Sequence, residues 1–167
     1  MQKEERPLFG YEVTNEKTDS FLFRTSNRIL YEVSFRPSGY IFANDPDLQP
    51  FVFEITIAVI DNPLGKRPPG DPLVPPTIAR IFSNFFEQHE RIVVYICDIS
   101  DQRGRIRQRK FLSWFHYYKG VDYFQFNDTL TDEAGEHYFI SLILRLDNPY
   151  RRRLLLAFDD LLTDSRK

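Results

Sequence analysis

RIVVYICDISDQRGRIRQRKFLSWF, residues 91–115, changes its hydrophobic period halfway along, and that change decides the fold. Its first seven residues, RIVVYIC, are almost continuously apolar, as a central strand covered on both faces requires. From about residue 101 the spacing turns helical. At about 100° per residue, Phe111, Trp114, Phe115 and Tyr118 share one face, which docks on the core. A helix is expected over 102–119, with Gly120 ending it. A strand buried on both faces and followed by a one-faced helix needs a sheet with helices on it.

Upstream, residues 20–25 (SFLFRT) read as a short strand. RILYEVSFR then alternates, with Ile29, Tyr31, Val33 and Phe35 on one face, until Pro37, Ser38 and Gly39 signal a turn. Residues 51–60 alternate again, with Phe53, Ile55, Ile57 and Val59 aligned. Residues 61–76 hold six of the eleven prolines and read as an exposed loop, since proline lacks the N–H that helices and ladders need. Pro75 and Pro76 open a helix over about 75–89, where Ile78, Ile81, Phe82, Phe85 and Phe86 form one stripe. Downstream, strands are expected over 121–126 and 136–146, separated by a polar loop. A last helix over 150–163 buries Leu154, Phe158 and Leu161. The order β-β-β-α-β-α-β-β-α predicts a single α+β domain over 1–167. It comprises a mostly antiparallel sheet of about six strands with three helices packed on it, with frayed ends at 1–8 and 163–167.

Composition bounds the function. A chain of 167 residues buries about 70% of its unfolded surface, and 42% hydrophobic residues with 16 phenylalanines fill that core. The net charge of -2 and pI of about 5.9 argue against a generally basic nucleic-acid binder, so any such contact is local. One cysteine, Cys97, excludes an intrachain disulfide or a multi-cysteine zinc site and fits a reducing compartment. The first residues are charged where a secretory signal would be apolar. The apolar runs near 51–60 and 138–146 carry Glu54 and Arg145 and fall short of the roughly 20 residues of a membrane helix. A soluble cytoplasmic protein without a membrane partner is expected.

Five cationic side chains, Arg103, Arg105, Arg107, Arg109 and Lys110, fall within eight residues, just after Asp98 and Asp101. Arg107 and Arg103 lie on the core-facing line of the helix. They are expected to form a buried or half-buried ion-pair network with Asp98 and Asp101, so that Asp98→Ala destabilises the fold strongly. Arg105, Arg109 and Lys110 point to solvent. With Arg151, Arg152 and Arg153 at the start of the last helix they make a candidate basic surface for a protein or nucleic-acid partner, since arginine forks suit phosphate and carboxylate. The three arginines oppose the helix dipole there; a solvated face is the first reading, and a partner or local acids that answer them the other.

Enzymatic patterns are sparse. There is no GxSxG, GxGxxG or phosphate loop, and no histidine or carboxylate spacing that suits a metal, so neither cofactor nor metal is expected. Cys97 closes an apolar strand and reads as a small hydrophobe. His89 reads as a cation at a helix end and His137 as a strand-surface residue. The spacing Arg109-x6-His116 resembles the catalytic motif of HEPN-type ribonucleases, an all-helical family. A nucleic-acid-processing enzyme using that pair, or Asp98 and Asp101 with a divalent ion, is the alternative to a non-enzymatic interaction module.

Four pieces, YEVSFRPSGYIF, VPPTIARIFSNFFE, VVYICDISDQRGRIRQRKFLSWF and NPYRRRLLLAF, reach from Tyr31 to Phe158. With them the chain resembles a family of functionally uncharacterised bacterial proteins, a domain of unknown function found in Bacteroidetes and cyanobacteria. The resemblance implies a bacterial, cytoplasmic, single-domain protein. It implies no activity, no catalytic residues and no oligomeric state.

Overall fold

The computed structural model describes residues 10–100, 102–118, 120 and 122–165. The strands are β1 (Val13–Lys17), β2 (Ser20–Arg24), β3 (Leu30–Pro37), β4 (Val52–Asp61), β5 (Ile92–Asp98), β6 (Tyr123–Thr131) and β7 (His137–Arg145). The helices are α1 (Val74–Phe85), α2 (Gln102–Tyr118) and α3 (Arg151–Ser165), and two 3-10 turns, Gly39–Phe42 and Gln49–Phe51, join β3 to β4. The seven strands form one sheet in the order β1-β2-β3-β4-β5-β7-β6, antiparallel except between β4 and β5. No described helix is long and apolar enough to cross a membrane.

The α+β class and the mostly antiparallel sheet stand as read from the sequence, with one more strand. That strand, β1, has the sequence VTNEK, whose polar side chains give no alternation to detect. It forms at the edge by pairing with β2 across a turn where Asp19 takes a φ of 60°. β6 also runs further than residue 126. Its polar half pairs with β7 as far as Thr131, and the Asp132 carboxylate closes the hairpin on the N–H groups of Ala134 and Glu136. α1 stops at Phe85 rather than near residue 89. The Arg91 guanidinium donates to the Phe85 carbonyl at 3.1 Å and lies 4.3 Å from the centre of its ring, so the chain turns there. His89, placed beyond the helix, pairs with Asp147 at 3.0 Å instead of with the helix end.

Two crossovers build the layers. β4–α1–β5 joins neighbouring parallel strands, and β5–α2–β6 skips over β7. Both helices lie on one face, over Tyr31, Val33, Phe35, Val93 and Phe139. The chain leaves β7 for the other face, where α3 covers Ile92, Val94, Leu142 and Leu144. α3 buries Leu154, Phe158 and Leu162, with Leu161 only half-buried. β5 is thus central and covered on both faces. The fraying expected at 1–8 and 166–167 lies outside the described residues, and 163–165 complete α3.

The sheet forks. β4 and β5 pair only over Val52–Glu54 with Ile92–Val94, then diverge, although β4 continues to Asp61 and β5 to Asp98. α2 lies over this fork: its Phe111 ring stacks on Tyr95 of β5 at 3.8 Å, and its Trp114 and Lys110 reach Ile57 and Val59 of β4.

Candidate functional site

Gly104 sets how close α2 lies to the sheet. A Cβ there would overlap the Asp98 carbonyl oxygen, so the first turn of the helix rests directly on the end of β5. The Cys97 thiol, buried as expected, points at the Gly104 carbonyl at 3.4 Å. From this anchor the helix presents Ile106, Arg109, Lys110 and Trp114 to the proline-rich loop between β4 and α1.

That loop is folded onto them. The Asn62 side chain accepts the Leu64 N–H and donates to the Lys66 carbonyl, and Asp71 accepts both the Leu73 N–H at 2.9 Å and the Tyr11 hydroxyl at 2.6 Å. Loop and helix enclose a cleft of about 460 Å³, walled by residues 67–71, Tyr31 and the four side chains of α2. Three cations converge on it: Arg67, Arg109 and Lys110. The one acid in its lining among the described residues, Asp71, already holds two donors. Among the described residues no ion pair engages Arg67, Arg109 or Lys110. Partial burial, and then the nearby Arg67 charge, pull the Lys110 ammonium below its ordinary value. Its Nζ lies 5.0 Å from the centre of the Trp114 ring, a cation–π contact. Burial, and then Asp71, push the Tyr31 phenol up. A smaller pocket of about 140 Å³ opens at the fork and shares Tyr31, Lys110 and Trp114 with the cleft.

The residues singled out in the sequence divide. Arg109 and Lys110 line the cleft, whereas Arg105 is exposed outside it. The buried place expected for Asp98 is not what forms. Asp98 is exposed at the strand end, and its carboxylate accepts the Ser100 N–H at 2.8 Å. This bond holds it below the usual carboxylate range, with Arg107 a lesser contributor. Arg103 is exposed, Arg107 reaches the inner pocket, and Asp101 lies outside the described residues. Nor do the two basic runs merge, because α2 and α3 pack on opposite faces of the sheet. Arg153 pairs with Asp45 and Asp47 at 2.6 and 2.7 Å, and Arg151 lies over the Phe124 ring and donates to the Leu146 carbonyl. Local acids and carbonyls therefore answer the charges that oppose the α3 dipole. Only Arg152 of the three has no such partner among the described residues.

His116 is exposed but does not line the cleft. His137 is exposed on β7, with its Nδ1 3.1 Å from the Thr131 hydroxyl. The described residues contain no group of three histidine, cysteine or carboxylate side chains able to hold a metal. Sequence reasoning missed Arg67 and the partnership of loop and helix. The available signal was a basic pair, Lys66–Arg67, set between Gly65 and Pro68 in the otherwise uncharged stretch 62–70.

Fold and site together define a single-domain α+β protein with a cationic recess on its two-helix face. The chain belongs to DUF6169, a family of unknown function, which matches residues 70–160. No curated protein and no solved structure matches it. The match takes in Arg109, Lys110 and Trp114, while Tyr31 and Arg67 precede it.

Proposed function

We propose that the protein is a non-enzymatic interaction module, whose protein or nucleic-acid partner places an anionic group in the cleft between α2 and the proline-rich loop. One observation carries this reading: three cations with no ion-pair partner among the described residues converge on a single recess. Gathering like charges is unfavourable, and a phosphate or carboxylate held by the two arginine forks relieves it. The setting we propose is the cytoplasm, supported by the family resemblance and by a lone, buried cysteine. The test is capture from bacterial lysate by the wild type and by an Arg109→Glu/Lys110→Glu variant, with and without nuclease. Partners that depend on the two cations support the reading, and nuclease sensitivity sorts nucleic acid from protein. Partners recovered equally by both proteins would refute it.

A second reading, RNA processing by Arg109 and His116, draws on the exposure of both side chains two turns apart on one helix. RNA cleavage lost in His116→Ala would favour it.

A further inference from the structure

We propose that the cleft and the pocket beside it form one site for a pyrimidine nucleotide, with the phosphate on Arg67, Arg109 and Lys110 and the base in the pocket at the sheet fork. This rests on the anion-accepting reading above and names the ligand. The two chambers have Tyr31, Lys110 and Trp114 in common in their linings, which places them side by side under α2.

Size and lining select the ligand. The outer cleft, at about 460 Å³, far exceeds what a bare phosphate fills and lies within the range of roughly 300–1,000 Å³ typical of small-molecule sites. It has room for a sugar carrying the phosphate. The inner pocket, at about 140 Å³, is close to the cavity of roughly 150 Å³ that takes a single benzene ring. One six-membered ring suits this volume better than the bulkier fused rings of a purine. Its lining suits a flat ring: Trp114 offers aromatic and Ile57 and Val59 aliphatic surface, while Tyr95 and Phe111, already stacked on each other, add apolar wall, with Arg107 beside them. Stacking on such side chains is how proteins hold unpaired bases without a duplex. The fork is what makes the pocket. A full β4–β5 ladder would close the gap between Ile57 and Tyr95 that the ring enters.

Trp114 is the sole tryptophan of the chain, so its emission reports occupancy directly. The intact protein would be titrated with UMP, AMP, inorganic phosphate and a short single-stranded oligouridylate. UMP is expected to bind at least about tenfold tighter than inorganic phosphate, the scale of one stacked ring, and several-fold tighter than AMP. In Val59→Phe, which fills the inner pocket, UMP should weaken to the level of phosphate while phosphate itself is unchanged. Ile57→Phe serves as a second filling variant, each checked by thermal melting for a wild-type fold. Oligouridylate tighter than UMP supports the site with an unpaired strand as the source, and UMP as tight or tighter supports it with a free nucleotide. The inference is overturned if UMP binds no tighter than phosphate, if AMP equals UMP, or if both folded filling variants leave UMP binding intact. Failure of every probe while charge-dependent partner capture persists removes this inference alone. Loss of that charge dependence as well removes the interaction reading with it.

Discussion

At Asp98 and Lys110, neighbours in space and not merely the identity of the residue decide the chemistry. A carboxylate after an apolar strand suggests a buried ion, yet Asp98 turns outward and takes the Ser100 N–H in a local turn. Asp98→Ala should therefore lower the melting temperature by less than about 3 °C, because what is lost is an exposed local bond and not the partner of a buried charge. The pH dependence has a definite sign. The folded carboxyl titrates below its ordinary value of 3.8, so its stabilisation is present above that pH and is lost as pH falls through the folded value. Melts of Asp98→Ala and wild type should differ slightly near neutrality and converge in acid; a gap that persists in acid would show that the side chain acts otherwise. Lys110 works in the opposite sense. Burial and Arg67 depress it in the free protein, and a bound anion favours its charged form, so binding raises its titration and takes up a proton. Sulfate, whose own charge is constant in the range, should bind progressively more weakly as pH rises through the Lys110 titration, which lies below its ordinary value of 10.5, and this dependence should flatten in Lys110→Gln.

At the scale of the element, α2 depends on a residue that local propensity would disfavour. Alanine at position 104 would improve the helix by roughly 1 kcal/mol. It would also drive a methyl into the Asp98 carbonyl, against backbone that cannot swing aside, an overpacking cost of about 3 kcal/mol or more. The clash wins, so Gly104→Ala should destabilise the protein by about 2 kcal/mol or more in urea melts; a variant as stable as wild type would show that α2 docks elsewhere. α2 itself was legible almost to the residue, because Phe111 and Phe115 repeat at helical spacing and both are buried. Its glycine was not, since a close backbone approach leaves no periodic trace. α3 was equally plain, although the stripe favours Leu162 over Leu161. The elements that sequence reasoning missed or mis-bounded share one physical cause. β1 and the second half of β6 are polar strands recruited by their neighbours, and α1 is ended by Arg91, which follows it in sequence and returns in space to cap Phe85.

At the scale of the whole molecule, the sheet separates charges that the sequence invites one to join. The candidate site was half legible: density alone marks Arg109 and Lys110, whereas Arg67 reaches them only because the fork and its loop bring β4 under α2. The length of a ladder is not written in hydrophobic period, so the fork and its two chambers could not be foreseen. The arginines of α3 look as basic in sequence, yet their surroundings differ in sign. The groove beside them, of about 390 Å³, is lined by Asp45, Asp160 and Asp164, and Arg153 is held by two carboxylates. An anion gains little there. Helix layers on opposite faces of a sheet are about 20 Å apart, more than twice the Debye length of roughly 8 Å at physiological salt, so Arg152 cannot steady an anion in the cleft through space. Arg109→Glu should weaken sulfate or phosphate binding by about tenfold or more, since it replaces an attractive charge at the site with a repulsive one. Arg152→Glu, with the same change of net charge, should leave it within about twofold. Titrations of both variants at physiological salt decide it: equal losses would mean that the protein acts through its overall field, and unequal ones that the recess under α2 is the binding surface.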